Sequence, residues 1–153
     1  MQQKITPNLW FDGNAKEAVD YYVSAFPNSK VLSTAYYPKT AEEGLADFQK
    51  DMAGKELAID FELSGQRFTA INAGPEFKFS EAISFAISCE DQDEIDRYWE
   101  ILSSVPESEQ CGWCKDRFGL SWQVVPKNME ELMQRPNAYA KLMQMKKLVI
   151  TDF

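Results

Sequence analysis

The chain of 153 residues passes twice through one plan. Residues 4–11 are apolar and extended, and Asp12-Gly13 turns the chain. Asn14 with Glu17 three places on has the form of a capping box. Ala15, Ala18, Val19, Tyr22 and Phe26 then recur at helical spacing up to Pro27. Strands are expected over 30–37, 57–63 and 66–72, the last two joined at Ser64-Gly65. The second pass sets a strand at 83–89 and a helix opened by Asp91 and Glu94. Ile95, Tyr98, Trp99 and Leu102 stripe that helix up to Pro106. Strands at 110–115 and 120–125 follow, about a Phe118-Gly119 turn.

The two passes overlay in detail. An offset of 77 places Glu17, Tyr21 and Tyr22 on Glu94, Tyr98 and Trp99, and 76 places Leu9 and Phe11 on Phe85 and Ile87. The final hairpins match at 54, Gly65 on Gly119 and Phe68 on Trp122. Agreement of element order, caps and turn glycines is what internal duplication predicts. We therefore expect an α+β fold of two βαβββ modules, their curved mixed sheets set around a cleft, with a C-terminal helical tail. The first module takes residues 1–75 and carries an acidic insert, 38–55, expected as a surface excursion. The second takes 76–126. The extension 127–153 is read as a short helix opened by Asn128 and Glu131, a second through Ala138, Leu142 and Met145, and an extended 148–151. Met129, Met133, Met143 and Met145 are expected to pack over the sheet or a dimer partner.

Histidine is absent from the sequence. That excludes Ser-His-Asp and Cys-His hydrolases, imidazole acid–base steps and His-ligated metal sites. The formal charge of −8 argues against nucleic acid, which needs clustered Lys and Arg to replace counterions, and against an anionic membrane surface. No apolar run of about 18 residues and no basic-then-apolar leader is found, so a cytoplasmic protein is expected. The three cysteines, Cys89, Cys111 and Cys114, do not suit a disulfide framework. Cys111-Gly112-Trp113-Cys114 has CxxC spacing, but on a strand residues i and i+3 face opposite ways. Structural cysteines are expected there.

Strand alternation sorts the candidate site. In the fifth strand Ile83, Phe85, Ile87 and Cys89 form the apolar face, leaving Ala82, Ser84, Ala86 and Ser88 on the other. By the repeat, Thr6, Asn8, Trp10 and Asp12 share that second face. Small residues on one wall and an indole on the other suit a modest organic ligand. Trp10 can stack on a planar group or a cation. The run Glu90, Asp91, Asp93, Glu94, Asp96 is a helix N-terminus, where negative charge opposes the macrodipole. Asp116-Arg117 reads as an organiser of the last hairpin.

Three stretches resemble one family. They are Ile5-Thr6-Pro7-Asn8-Leu9-Trp10-Phe11-Asp12-Gly13-Asn14-Ala15, Gly74-Pro75-Glu76-Phe77-Lys78-Phe79, and Gln110-Cys111-Gly112-Trp113 with 115–126. The family is the 3-demethylubiquinone 3-methyltransferase-like branch of the glyoxalase/bleomycin-resistance/extradiol-dioxygenase (vicinal oxygen chelate) superfamily. The resemblance implies paired βαβββ modules, commonly a homodimer, and pockets walled by the modules' sheets. It also implies where a metal would sit: a Glu four residues after the glycine of the final hairpin, and His at the starts of the first and fifth strands. Those positions hold Gln123, its first-half equivalent Thr69, Thr6 and Ala82. None is a good ligand for a divalent transition ion, so no metal and no cofactor is expected. Facing the pocket with Gln123, on this reading, are Ser121 and Val125, with Arg67 and Ile71 in the other module. Arg67 can pair with a carboxylate or phosphate.

The candidate ligand-binding residues are thus Asn8, Trp10, Arg67, Thr69, Ser84, Ser121 and Gln123, with no catalytic residue assigned. Methyl transfer from S-adenosylmethionine usually requires a glycine-rich turn after a strand, and the seven scattered glycines contain no GxG. The expectation is a homodimeric small-molecule-binding protein. Two alternatives stand beside it: an enzyme of the same superfamily acting on a small organic substrate, and a protein-interaction module using the acidic insert.

Overall fold

Alternation in the first half builds a four-stranded mixed sheet. The computed structural model describes residues 2–153, which fall into two units dividing between Lys78 and Phe79. In the first, β1 (Asn8–Phe11), β2 (Lys30–Tyr36), β3 (Glu56–Leu63) and β4 (Gln66–Asn72) lie in the order β1-β4-β3-β2. β1 runs parallel to β4 and the other pairs are antiparallel. Ser64 and Gly65, at φ 48° and 84°, form the two-residue turn between β3 and β4, a conformation that matches strand twist. That turn sets Asp60 opposite Thr69 and Glu62 opposite Arg67.

β1 begins later than expected. Pro7 has no N–H for a ladder, and the Gln3 side chain takes over the pairing. Its amide donates to the Arg67 carbonyl at 3.1 Å and accepts from the Arg67 N–H at 3.0 Å. α1 (Ala15–Ala25) packs on β3 and β4, burying Ala18, Val19 and Tyr22 over Leu9, Phe11, Phe61 and Phe68. Its expected cap differs: the Asn14 side chain makes no capping bond, and Asn72 of β4 accepts from the Ala15 N–H at 2.9 Å instead. A tertiary contact thus replaces the local one. The acidic insert holds a 3-10 helix, Asp47–Met52, and is pinned at its base by Tyr37 N–H to Lys55 O (2.8 Å) and Gly54 N–H to Pro38 O (3.2 Å).

The second unit repeats the plan with one strand fewer. β5 (Ser84–Cys89), β6 (Trp113–Lys115) and β7 (Ser121–Pro126) lie in the order β5-β7-β6, with β5 parallel to β7. α2 (Gln92–Leu102) packs on β7 and buries Ile95, Tyr98 and Leu102. Asp91 Oδ1 caps it by accepting from Glu94 N–H at 2.9 Å. Residues 103–112 are too few for the counterpart of β2, and the 3-10 turn Pro106–Ser108 fills the gap. Gln110 bridges to Trp113 with Cys111 and Gly112 at positive φ, 53° and 86°. Cys111 is therefore a turn residue and not, as expected, a strand residue.

Register also corrects the overlay of the two passes. Asn8 pairs with Thr69, whereas the counterpart of Thr69, Gln123, pairs with Ala86. The strand offset is 78 and not 76. A two-residue slip leaves alternation unchanged, so the faces stand, but the counterpart of Thr6 becomes Ser84.

The tail packs on itself and, as expected, against the sheet, where Val125 of β7 meets its core. α3 (Met129–Leu132) and α4 (Ala138–Met143) are followed by a 3-10 turn, Ile150–Asp152, where an extended segment was expected. Leu132, Ala138, Leu148 and Phe153 form its core, with Met129, Met133 and Met145 against it. The Gln92 amide donates to Leu148 O and accepts from Ile150 N–H, both at 2.9 Å.

Candidate functional site

The first unit gathers Asn8, Thr69 and Arg67 around a residue that composition and motifs did not single out. Asn8 and Thr69 are register partners, and the Asn8 amide donates to Thr6 O at 2.8 Å. Thr69 Oγ1 donates to Asp60 Oδ1 at 2.6 Å. Arg67 lies 3.7 Å from Asp60 Oδ2, which also accepts from the Ser33 hydroxyl at 3.4 Å. Asp60 thus holds the Arg67 charge that was expected to meet a ligand. Counting back through the Ser64-Gly65 turn would have found it. Trp10, half-buried, donates its indole N–H to Gly74 O at 2.9 Å. Phe77 meets its ring edge-on at 4.8 Å.

Past the end of β1 the acidic insert walls an open cavity of about 360 Å³, lined by Asp12, Tyr37, Phe48, Asp51, Asn72 and Glu76 among others. Asn72, the buried polar residue in this lining, is fully engaged. Besides its bond to Ala15, its side-chain amide donates to Glu56 O at 3.0 Å and its backbone carbonyl accepts from the Tyr37 hydroxyl at 2.5 Å.

The second unit brings Ser84, Ser121 and Gln123 together. Ser84 pairs with Ser121, and Gln123 is two residues on along β7, so all three share a face. The Gln123 amide donates to Ser84 Oγ at 2.8 Å. Ser121 is 1% exposed, and among the described residues its hydroxyl has no hydrogen-bond partner. Across β6, Lys115 stands opposite Ser121 and Trp113 opposite Gln123, two residues that belong to this face and that hairpin counting about Phe118 would have supplied. Lys115 forms an ion pair with Glu81, and that hydrogen bond holds the Glu81 carboxyl below the usual carboxylate range. Asp116, fully buried, accepts from the N–H groups of Phe118 (2.8 Å) and Leu120 (3.1 Å) and from the Trp122 indole (2.9 Å). It organises the hairpin that carries the face.

The donor set does not suit a transition metal. Gln123 and Ser84 offer an amide and a hydroxyl already joined by one hydrogen bond, and Thr69 donates to Asp60, so none supplies imidazole, thiolate or carboxylate. Among the described residues no three His, Cys, Asp or Glu converge on a point that could hold an ion. The cysteines are free, and burial pushes the thiols of Cys89 and Cys114 up to about 12, the opposite of what a redox-active thiol needs. Among the described residues no helix is long and apolar enough to cross a membrane.

Solved structures share this fold. A putative 3-demethylubiquinone-9 3-methyltransferase, PhnB protein, from Bacillus cereus shares 32% identity at a TM-score of 0.64, covering 81% of this chain and 99% of that one. A Pseudomonas aeruginosa protein gives 18% identity and a TM-score of 0.60, covering 82% and 98%. The Listeria monocytogenes fosfomycin resistance protein FosX gives 13% and 0.52, covering 88% and 99%. These last two show the fold. Curated proteins give no match. The family model for 3-demethylubiquinone-9 3-methyltransferase matches residues 3–125, a span that takes in both sheets and the hairpin held by Asp116. With that match and the B. cereus likeness, the chain belongs to the 3-demethylubiquinone-9 3-methyltransferase family, within the glyoxalase (vicinal oxygen chelate) superfamily.

Proposed function

We propose that this protein binds a small organic molecule on the sheet faces turned away from its helices, without a transition metal, through Asn8, Trp10, Arg67 and Thr69 in one unit and Ser84, Ser121 and Gln123 in the other. The observation that carries the reading is the Ser121 hydroxyl, buried and unpartnered beside the Gln123–Ser84 bond. A buried polar group without a partner costs stability, and a ligand acceptor would offset that cost. Methyl transfer has no part in the reading, because the sequence lacks the glycine-rich turn that brings backbone close to such a cofactor.

The protein acts as a homodimer in the cytoplasm. Its edge strand β2 exposes Val31, Leu32 and Tyr36, which supports self-association, and three free cysteines accord with a reducing compartment. A thermal-shift screen of metabolites and antibiotics tests the binding reading. A ligand at 100 times its Kd adds about 2.7 kcal/mol of stability. Trp10→Ala or Gln123→Ala is expected to remove the shift. If every hit shifts both variants as it does the parent, these faces are not the site.

A further inference from the structure

The second sheet carries cationic chemistry that the binding reading above does not use. Strand register places Lys115, Ser121 and Ser84 in one row across β6, β7 and β5. Trp113, Gln123 and Ala86 form the next row. Neighbouring strands are about 4.8 Å apart, so the two rows make a patch the size of one ring and its substituent. Alternation is clear on β6, where Cys114 is buried and Trp113 and Lys115 on either side are half-exposed.

Each member of the patch has an open role. The Ser121 hydroxyl is a donor without an acceptor. Gln123 commits its N–H to Ser84, which leaves the Ser84 hydroxyl hydrogen free to donate. Lys115, its side chain 23% exposed, is paired with Glu81, whose side chain is 60% exposed. Glu81 lies three residues ahead of Ser84, so the ion pair ties β6 to the lead-in of β5. An exposed carboxylate is a weakly held counterion, and Lys115, which it pairs with, stands opposite the unpartnered Ser121 in the strand register. In a chain of net charge −8, a half-buried ammonium beside two hydroxyl donors is a local exception.

Resting on the binding reading above and naming its ligand class, we propose that Lys115, Ser121 and Ser84 receive an oxyanion, carboxylate or phosphonate, borne on a planar organic body that lies against Trp113. Glu81 is the resident anion that the ligand displaces. The Ser121 hydroxyl, opposite Lys115 in the register, donates to the incoming oxygen. Trp113 supplies the apolar wall. Free protein and complex thus share one ammonium, which changes its anionic partner.

Isothermal titration of the full chain with benzoate, phenylphosphonate and neutral benzamide tests this. Glu81→Gln removes the competing carboxylate, and the better-bound anion is expected to tighten about fivefold. Ser121→Ala is expected to weaken that anion about tenfold, by loss of a charge-assisted bond. Adding Lys115→Gln to Glu81→Gln is expected to abolish the gain. Benzamide is expected to be indifferent to Glu81→Gln. Whichever anion binds more tightly identifies the ligand's acid group. Circular dichroism melts check that each variant is folded, and Ser121→Ala removes no bond from the free protein.

Three results overturn the inference: neither anion binds Glu81→Gln, Glu81→Gln leaves anion affinity unchanged or lower, or Ser121→Ala has no effect. If benzamide binds like benzoate in every variant, the oxyanion assignment fails while binding on this face stands. If no probe binds but an organic ligand co-purifies, the two readings are again separated.

Discussion

Replacing Ser121 by alanine is expected to stabilise the free protein, the reverse of what a buried substitution usually does. Its hydroxyl is 1% exposed and has no hydrogen-bond partner, so it carries a desolvation penalty of about 1–3 kcal/mol. Alanine removes that penalty and leaves the Cβ in place. The loss is one oxygen's dispersion contacts, a few at about 0.1–0.2 kcal/mol each. The net expectation is a gain of about 1 kcal/mol. For a chain of this size that raises Tm by about 2–4 °C. With a urea m-value of about 2 kcal/mol/M, it moves the midpoint up by about 0.5 M. Urea denaturation followed by tryptophan fluorescence reads it directly, since Trp122 is the next residue and is buried.

Ser29→Ala is the matched control. That hydroxyl accepts from Ser64 N–H at 3.1 Å and donates to Pro27 O at 3.1 Å, so its removal should lower the midpoint. If Ser121→Ala lowers the midpoint as Ser29→Ala does, the hydroxyl is satisfied in solution, and the reasoning that makes it a ligand donor is refuted.

Other expectations follow from the same geometry. Asp116→Ala leaves three N–H donors without their acceptor and should cost at least about 3 kcal/mol in urea titrations; a loss below about 1 kcal/mol would show that the hairpin does not depend on it. Leu148→Ala empties the core of the tail and should cost about 2–5 kcal/mol, read by the same titration. In native protein a thiol reagent at pH 8 should label Cys111 alone, with Cys89 and Cys114 reacting only in denaturant. Their thiols are raised from 9.0 to about 12 on folding, so the folded state holds the extra protons. Stability is therefore full below about pH 9 and falls as pH rises toward 12; a flat alkaline profile would contradict this.

Much of the fold is legible in the sequence because alternation and turn chemistry are local signals. β4 falls on the expected Gln66–Asn72, bounded by a Ser-Gly turn that admits one hairpin geometry. Departures come where a distant partner decides. Asn72 caps α1 in place of Asn14. The Gln3 side chain does the work of a strand that Pro7 interrupts. Cys111 reads as a strand residue until the two positive φ values of Cys111 and Gly112 make it a turn. The overlay slipped by two residues because a period of two is blind to that slip. The faces of Asn8, Trp10, Ser84 and Gln123 survived it for the same reason. Asp60 and Lys115 were within reach, since each lies opposite a named candidate across a turn already identified. Alternation names a face, but only register names its neighbours.

Native mass spectrometry of freshly purified protein distinguishes an organic ligand from a transition metal as the occupant proposed for this fold. The expected species is a homodimer carrying an organic adduct that leaves as the collision energy is raised, with no stoichiometric metal. Stoichiometric Mn, Fe, Ni or Zn retained on the chain would contradict it.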